Sequence, residues 1–169
     1  MTTILETERL RLRKMVVADA EFIHGLMNDQ AYLKYIGDKG VKTVADAESF
    51  LENRAIKSYD ENGFGHYIVE LKSDGTPIGT CGYVKRDELD DPDIGFAFLP
   101  EFRKRGYALE SAKAIFEFGL DALGFKKISA ITTQNNERSG LLLEKLGFDF
   151  ERLISMPNGD ELRLYTFST

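Results

Sequence analysis

The sequence predicts an α/β fold: a mixed, mostly antiparallel sheet of about seven strands, flanked by helices. Two observations carry that reading. Near Gly63 the hydrophobic period changes from helical spacing to alternation, and three alternating segments then follow, separated only by turns and a loop, as in an antiparallel meander. Farther on, a strand, an amphipathic helix and a second strand fill residues 93 to 132, and strands joined through a helix run parallel in one sheet.

The elements follow in order. "RLRLRKM" alternates Leu10 and Leu12 with Arg9, Arg11 and Arg13, a half-buried strand whose arginine face is expected in solvent. "ADAEFIHGLMND" carries Phe22, Ile23, Leu26 and Met27 as one apolar helical stripe, and a short helix covers "QAYLKYI". Thr43 caps a helix that carries Val44, Ala47, Phe50, Leu51 and Ile56 inward and ends near Gly63. "FGHYIVELK" and "PIGTCGYVKR" form a hairpin about the turn "SDGT". An acidic loop, "DELDDPD", leads into the strand "IGFAFLP", which Pro100 stops because it has no N–H for a ladder. The helix "ALESAKAIFEFGLDALG" turns Leu109, Ala112, Ile115, Phe116 and Leu123 inward. "FKKISAITT" is a strand, "NNERSGLLLEKLG" an asparagine-capped helix, and two final strands meet at "PNGD".

With 169 residues and no repeat or linker, residues 1–169 read as one domain. A net charge of −6 disfavours nucleic acid and anionic membranes as partners. No stretch reaches the roughly 18 apolar residues of a membrane span. The N-terminus lacks the apolar run of a signal peptide. The single cysteine, Cys81, forms no internal disulfide and fits a reducing compartment, so a cytoplasmic location is expected. His24, His66 and Cys81 lie too far apart in sequence for a Cys/His zinc site, and no metal is expected.

"LPEFRKRGYALESA" is the stretch that points to chemistry. A strand ends at Leu99 and a helix begins near Gly106 to Ala108, which presents unpaired N–H groups and the positive end of the helix dipole. That is an anion site, and small residues at 106 and 108 let phosphate oxygens reach the main chain. Arg103, Lys104 and Arg105 raise the local potential. The stretch lacks the G-K-[S/T] of a P-loop and the three glycines of a dinucleotide fingerprint. The other reading of the stretch is a solvated basic loop before a surface helix.

"RKRGYA" matches the R/Q-x-x-G-x-G/A signature, with Arg103, Gly106 and Ala108 in its fixed places. "NERSGLLLEKLGF" supplies a second motif through Asn136, Ser139, Glu144, Lys145, Gly147 and Phe148. Together they resemble the GCN5-related N-acetyltransferases (GNAT), and "TERLRLRK" with "DIGFAFLPEF" resembles the RimJ/RimL-like ribosomal-protein N-terminal acetyltransferases, a branch that also contains polyamine acetyltransferases. The resemblance covers nearly the whole chain. It implies a sheet splayed between the strand ending at Leu99 and the strand beginning near Lys127, with acetyl-coenzyme A in the gap. It implies that the pyrophosphate meets the N–H groups of Arg105, Gly106, Tyr107 and Ala108, with Arg103 and Lys104 beside them. It implies that the pantetheine arm pairs with the main chain of Phe98, whose N–H region is also the expected oxyanion donor, and that Asn136 contacts the pantetheine. The charge of Arg138 suits an adenosine phosphate.

Acetyl transfer to an amine needs a base, an oxyanion donor and, for the departing thiolate, a proton. Asp93, at the start of the motif strand, is the first candidate for the base, acting through water; its alternative place is the solvated acidic loop. Many relatives carry a tyrosine acid four residues after the Ser/Ala position, but Leu143 stands there. Ser139 is the substitute acid, or else only part of the helix cap. Cys81 reads as a buried thiol. Tyr32, Tyr35 and Phe64 are candidate acceptor walls, with core packing as the other reading, and His24 is expected to pack. The implied activity is acetyl transfer to a primary amine: a protein N-terminus, a polyamine or another small amine. The competing class is a non-catalytic sensor of acyl-coenzyme A. A monomer or a homodimer is expected.

Overall fold

The structure, a computed structural model, describes residues 1–169. Eight strands form one sheet: β1 (Thr3–Glu6), β2 (Leu10–Lys14), β3 (His66–Leu71), β4 (Pro77–Val84), β5 (Asp93–Phe98), β6 (Lys127–Thr133), β7 (Asp149–Ser155) and β8 (Glu161–Ser168). Their order is β1-β2-β3-β4-β5-β6-β8-β7. Every neighbouring pair is antiparallel except β5 and β6, which run parallel and share one registered pair, Asp93 opposite Ser129. The strand beyond the expected seven is β1. Its four residues, TILE, are too few to show a period, and they become a strand by pairing with β2.

The helices are α1 (Ala20–Met27), α2 (Gln30–Tyr35), α3 (Val44–Phe50), α4 (Ile56–Asn62), α5 (Tyr107–Asp121) and α6 (Glu137–Lys145). Thr43 caps α3 through a hydrogen bond from the Asp46 N–H. The single helix expected from Thr43 to Gly63 is interrupted by a π-helical turn at Leu51–Ala55. Such a turn adds a residue to one helical loop and so shifts the buried stripe that follows.

The larger core cluster joins Leu10, Leu12, Tyr67, Val69, Ile94 and Phe98 of the sheet to Ala112 and Ile115 of α5 and Leu143 of α6. A second cluster gathers Ile23, Met27, Ala47 and Leu51 about Ile68. The arginine face expected in solvent is only partly there: Arg9 is exposed and Arg11 half-buried, but Arg13 is not in solvent. Arg13 is only 5% exposed. Its guanidinium donates to Asp19 at 2.9 and 3.0 Å and to Glu70 at 3.0 Å, so two carboxylates satisfy the buried charge. Charge alternation along a strand does not reveal that the facing elements carry matching acids.

Candidate active site

The vertex of the splay is the Asp93–Ser129 pair, where the Ser129 N–H donates to Pro92 O at 2.8 Å. The Leu99 N–H donates to Ile78 O at 3.0 Å, so odd-numbered residues of β5 turn their main-chain groups toward β4. By alternation, Phe96 and Phe98 present theirs to the gap. From the other side, Ile131 and Thr133 of β6 do the same, because β6 meets β8 through its even-numbered residues. Three buried side-chain oxygens have no hydrogen-bond partner: Asp93 Oδ1, Thr132 Oγ1 and Thr133 Oγ1. All three belong to the two splayed strands. Buried polar atoms are normally paired, so this concentration marks the gap as a place built for a polar ligand. Phe96, Thr132 and Thr133 were missed in the sequence, because their orientation depends on where the two strands part.

At the far end of β5 the chain turns through Pro100–Phe102 into α5. Lys104 has φ 62° and is the one non-glycine residue with positive φ; Gly106 follows at φ 84°. No side chain caps α5, and its first bonded amide is that of Glu110, to Gly106 O at 3.0 Å. The amides ahead of it, from Gly106 through Tyr107 and Ala108 to Leu109, therefore remain for an anion. Arg9 braces this loop from below. It donates to Arg105 O at 3.0 Å, pairs with Glu110 at 2.7 Å, and lies over the Tyr107 ring at 4.4 Å. Lys104 and Arg105 are exposed and make no ion pair, so they are the cations open to a diphosphate. Arg103 is differently placed. Its Nε donates to Phe98 O at 3.0 Å and its Nη2 pairs with Asp29, the N-cap of α2.

Across the gap, Asn136 caps α6, its Oδ1 accepting from the Ser139 N–H at 3.3 Å. Ser139 is half-buried and its hydroxyl has no intramolecular partner, while Arg138 is exposed.

The face of β5 opposite α5 carries Asp93 and Gly95. Asp93 is 3% exposed, which removes it from the solvated acidic loop. Burial raises its carboxyl to about 6, against the pull of Arg86, whose Nε donates to Oδ2 at 2.6 Å, and of the Ile131 N–H, which lies near the carboxylate without reaching hydrogen-bond geometry with Oδ1. Beside it lies His66. A Cβ placed on Gly95 would lie 3.4 Å from the His66 ring, and one on Gly82, between them in the sheet, would collide with Gly65 O. The two glycines let the imidazole of β3 reach across β4. Burial, with Arg86 and Lys39 adding to it, lowers His66 to about 4, so it is neutral at pH 7. The glycines opposite His66 are the only sequence signal of this reach, and it is legible only once the register is known.

The chain matches the "Acetyltransferase (GNAT) domain" family over residues 9–149. It belongs to the GNAT acetyltransferases. It is similar to an uncharacterized N-acetyltransferase, YoaA of Bacillus subtilis, at 30% identity over 91% of this chain and 87% of the relative. It is 24% identical to the spermidine N(1)-acetyltransferase of Escherichia coli, over 84% of this chain and 74% of the relative. The ribosomal L7/L12 alpha-N-protein acetyltransferase RimL, solved in complex with coenzyme A, superposes with a TM-score of 0.83 at 15% identity, over 98% of this chain and 97% of RimL, and so shares the fold. Enzymes of the GNAT family use acetyl-coenzyme A, and the gap between β5 and β6 fits such a ligand by its open amides and lone hydroxyls.

Against the GNAT pattern, Leu143 is 2% exposed and part of the core, so no acid acts from that position. Cys81 is fully buried, and burial pushes its thiol up to about 12, which makes it inert. Phe64 packs edge-on against Tyr83 and Phe125 within the α5-side core and is not an acceptor wall. The His24 ring contacts Lys42 O at 3.0 Å, and Tyr35 carries Lys34 over its ring at 4.9 Å. Tyr32 is half-buried and packs against the second cluster about Ile68, which shares a sheet face with His66 and Asp93, and burial raises its hydroxyl to about 12. No helix is long and apolar enough to cross a membrane.

Proposed function

We propose that this N-acetyltransferase transfers acetyl to the α-amine of a protein or peptide N-terminus, with the acceptor entering on the face of β5 that carries Asp93, Gly95 and His66. The observation that carries this reading is Asp93, a buried carboxylate with one oxygen unpaired at the vertex of the splay. Acetyl-coenzyme A, when bound, supplies the thioester. The Gly106–Leu109 amides, with Lys104 and Arg105, would hold its diphosphate, and the Phe96 and Phe98 main chain its pantetheine arm. The Phe96 N–H is the gap-facing amide nearer the vertex, and would stabilise the negative charge that develops on the carbonyl oxygen.

An acceptor arrives as an ammonium and must lose a proton before its nitrogen attacks. Asp93 would take that proton, directly or through one water, and a carboxyl titrating near 6 suits a base working near neutrality. Neutral His66 would hold the incoming nitrogen by accepting a hydrogen bond. When the carbon–sulfur bond breaks, the second amine proton would pass to the thiolate, with Ser139 as the nearest candidate relay. A thiolate also leaves without assistance, so the loss of the family tyrosine at Leu143 does not stop the reaction.

A polyamine is the less favoured acceptor. The carboxylate at the vertex is already paired with Arg86, and Lys39 lies close enough to act on both Asp93 and His66. A second positive centre on the acceptor would meet those cations. A cytoplasmic location accords with such acceptors.

The test is thiol release from acetyl-coenzyme A with a panel of N-terminal peptides, spermidine and small amines. Turnover on peptides above that on spermidine is expected. Coenzyme A binding without turnover on any amine would instead make the protein a sensor.

A further inference from the structure

The guanidinium of Arg103 joins two parts of the site that the chain keeps far apart. On one side is Phe98 O, on the edge of β5 that faces the gap. On the other is the Asp29 carboxylate, which also accepts the N–H groups of Ala31 and Tyr32 at 3.2 and 3.3 Å and so holds the first turn of α2. The pair is partly shielded, with side-chain exposures of 32% for Arg103 and 13% for Asp29, where a charge-assisted bond is stronger than at the open surface. Burial opposes the charge of Asp29, but Arg103 and the two amides outweigh it and lower its carboxyl. Tyr32, tethered by that same carboxylate, stands on the acceptor side.

We propose that Arg103 is a positioning residue that couples occupancy of the cofactor strand to the order of α2, and through α2 to the acceptor wall at Tyr32. This rests on the reading that the β5–β6 gap takes the pantetheine arm. A carbonyl oxygen has two lone pairs, and Phe98 O gives one to Arg103 and presents the other to the gap. A ligand amide donating there shares the oxygen with Arg103 and fixes the β5–Arg103–Asp29–α2 path in one arrangement. An empty gap leaves that path free to open, and α2, six residues long and held at its start by Asp29, opens with it.

The experiment is amide hydrogen exchange on the full chain with and without coenzyme A, for wild type, Asp29→Asn and Arg103→Gln. Asparagine still caps a helix, so Asp29→Asn removes the ion pair and keeps the cap. Glutamine keeps a donor for Phe98 O and loses Asp29. In wild type, coenzyme A is expected to slow exchange both at residues 104–109 and at residues 29–36, the latter by about tenfold. In both variants the slowing at 104–109 persists and the slowing at 29–36 is lost, while exchange in β3 and β4 stays as in wild type and reports an intact fold. Slowing at 29–36 that survives in either variant, or is absent from wild type while 104–109 responds, overturns the coupling. No response at 104–109 in wild type overturns the cofactor site, and the coupling with it.

Discussion

Asp93 and His66 sit on one face of the sheet, and burial disfavours the charged form of each, which moves their pKa values in opposite directions. The consequence for activity is a single acid limb. Asp93 must be ionised to accept a proton, so kcat/KM should rise with pH through an apparent value near 6. His66, titrating near 4, stays neutral across that window and leaves the limb to Asp93. Asp93→Asn should remove the limb and lower kcat/KM by about 100-fold or more; a pH profile that keeps its limb in the variant would assign the limb elsewhere. For stability the sign is the reverse. The folded carboxyl titrates above its unfolded value, so the folded state gains relative to the unfolded as pH falls from about 6 toward 4, and Asp93 weakens the fold above that window. Arg13 is the contrasting case of a buried charge with full partners. Removing it in Arg13→Leu leaves Asp19 without a cation and Glu70 with Arg11 alone, two carboxylates only 8% and 7% exposed, and should cost about 3 kcal/mol by urea unfolding. Lys72→Ala, which breaks the exposed pair with Glu6 at 3.6 Å, should leave the urea midpoint close to that of wild type in the same measurement.

At the scale of elements, the start of α5 carries the binding of the anion and β5 the geometry of transfer. Gly106 combines φ 84° with a Cβ position 3.2 Å from Arg9 Nη2. Any side chain there is strained, and an acidic one also lies against the bare amides that an anion would use. Gly106→Glu should abolish coenzyme A binding by calorimetry while the far-ultraviolet spectrum stays that of the folded chain; unchanged affinity would place the diphosphate elsewhere. This element was legible in the sequence because everything that makes it is local: the strand-stopping Pro100, the glycine, the small residue at 108 and the amphipathic period of α5. The parallel crossover was legible for the same reason. What escaped notice depends on partners brought from afar. β1 exists because β2 offers it an edge, Arg13 is buried because Asp19 and Glu70 face it, and His66 reaches β5 because Gly82 and Gly95 line up beside it. Arg103 reads as a phosphate cation when only its neighbours in sequence are considered, and its pairing with Asp29 spans 74 residues.

At the scale of the molecule, the sheet is discontinuous where its packing is not. β5 and β6 share one registered pair, yet the cluster beneath α5 runs through Ile94 and Phe98 to Ile128, Ala130 and Tyr165 without a break. Phe116 of α5 stands edge-on to Phe167 of β8 at 4.7 Å and against Phe148 at 5.6 Å, so the helix holds the two halves of the sheet together while their main chains diverge. The gap is therefore a product of the packed core and need not be opened by a ligand; its amides are exposed because no strand completes them. A ligand arm lying between β5 and β6 should supply the missing partners on both edges. Amide exchange at Phe96, Phe98, Ile131 and Thr133 should slow by about tenfold or more with coenzyme A. It should not slow with a nucleotide fragment that lacks the pantetheine arm, even when that fragment saturates the α5 loop. Equal slowing by the fragment would mean that the loop alone orders the gap. Slowing confined to Phe96 and Phe98 would mean that the arm pairs with β5 and leaves the Ile131 and Thr133 amides of β6 without partners.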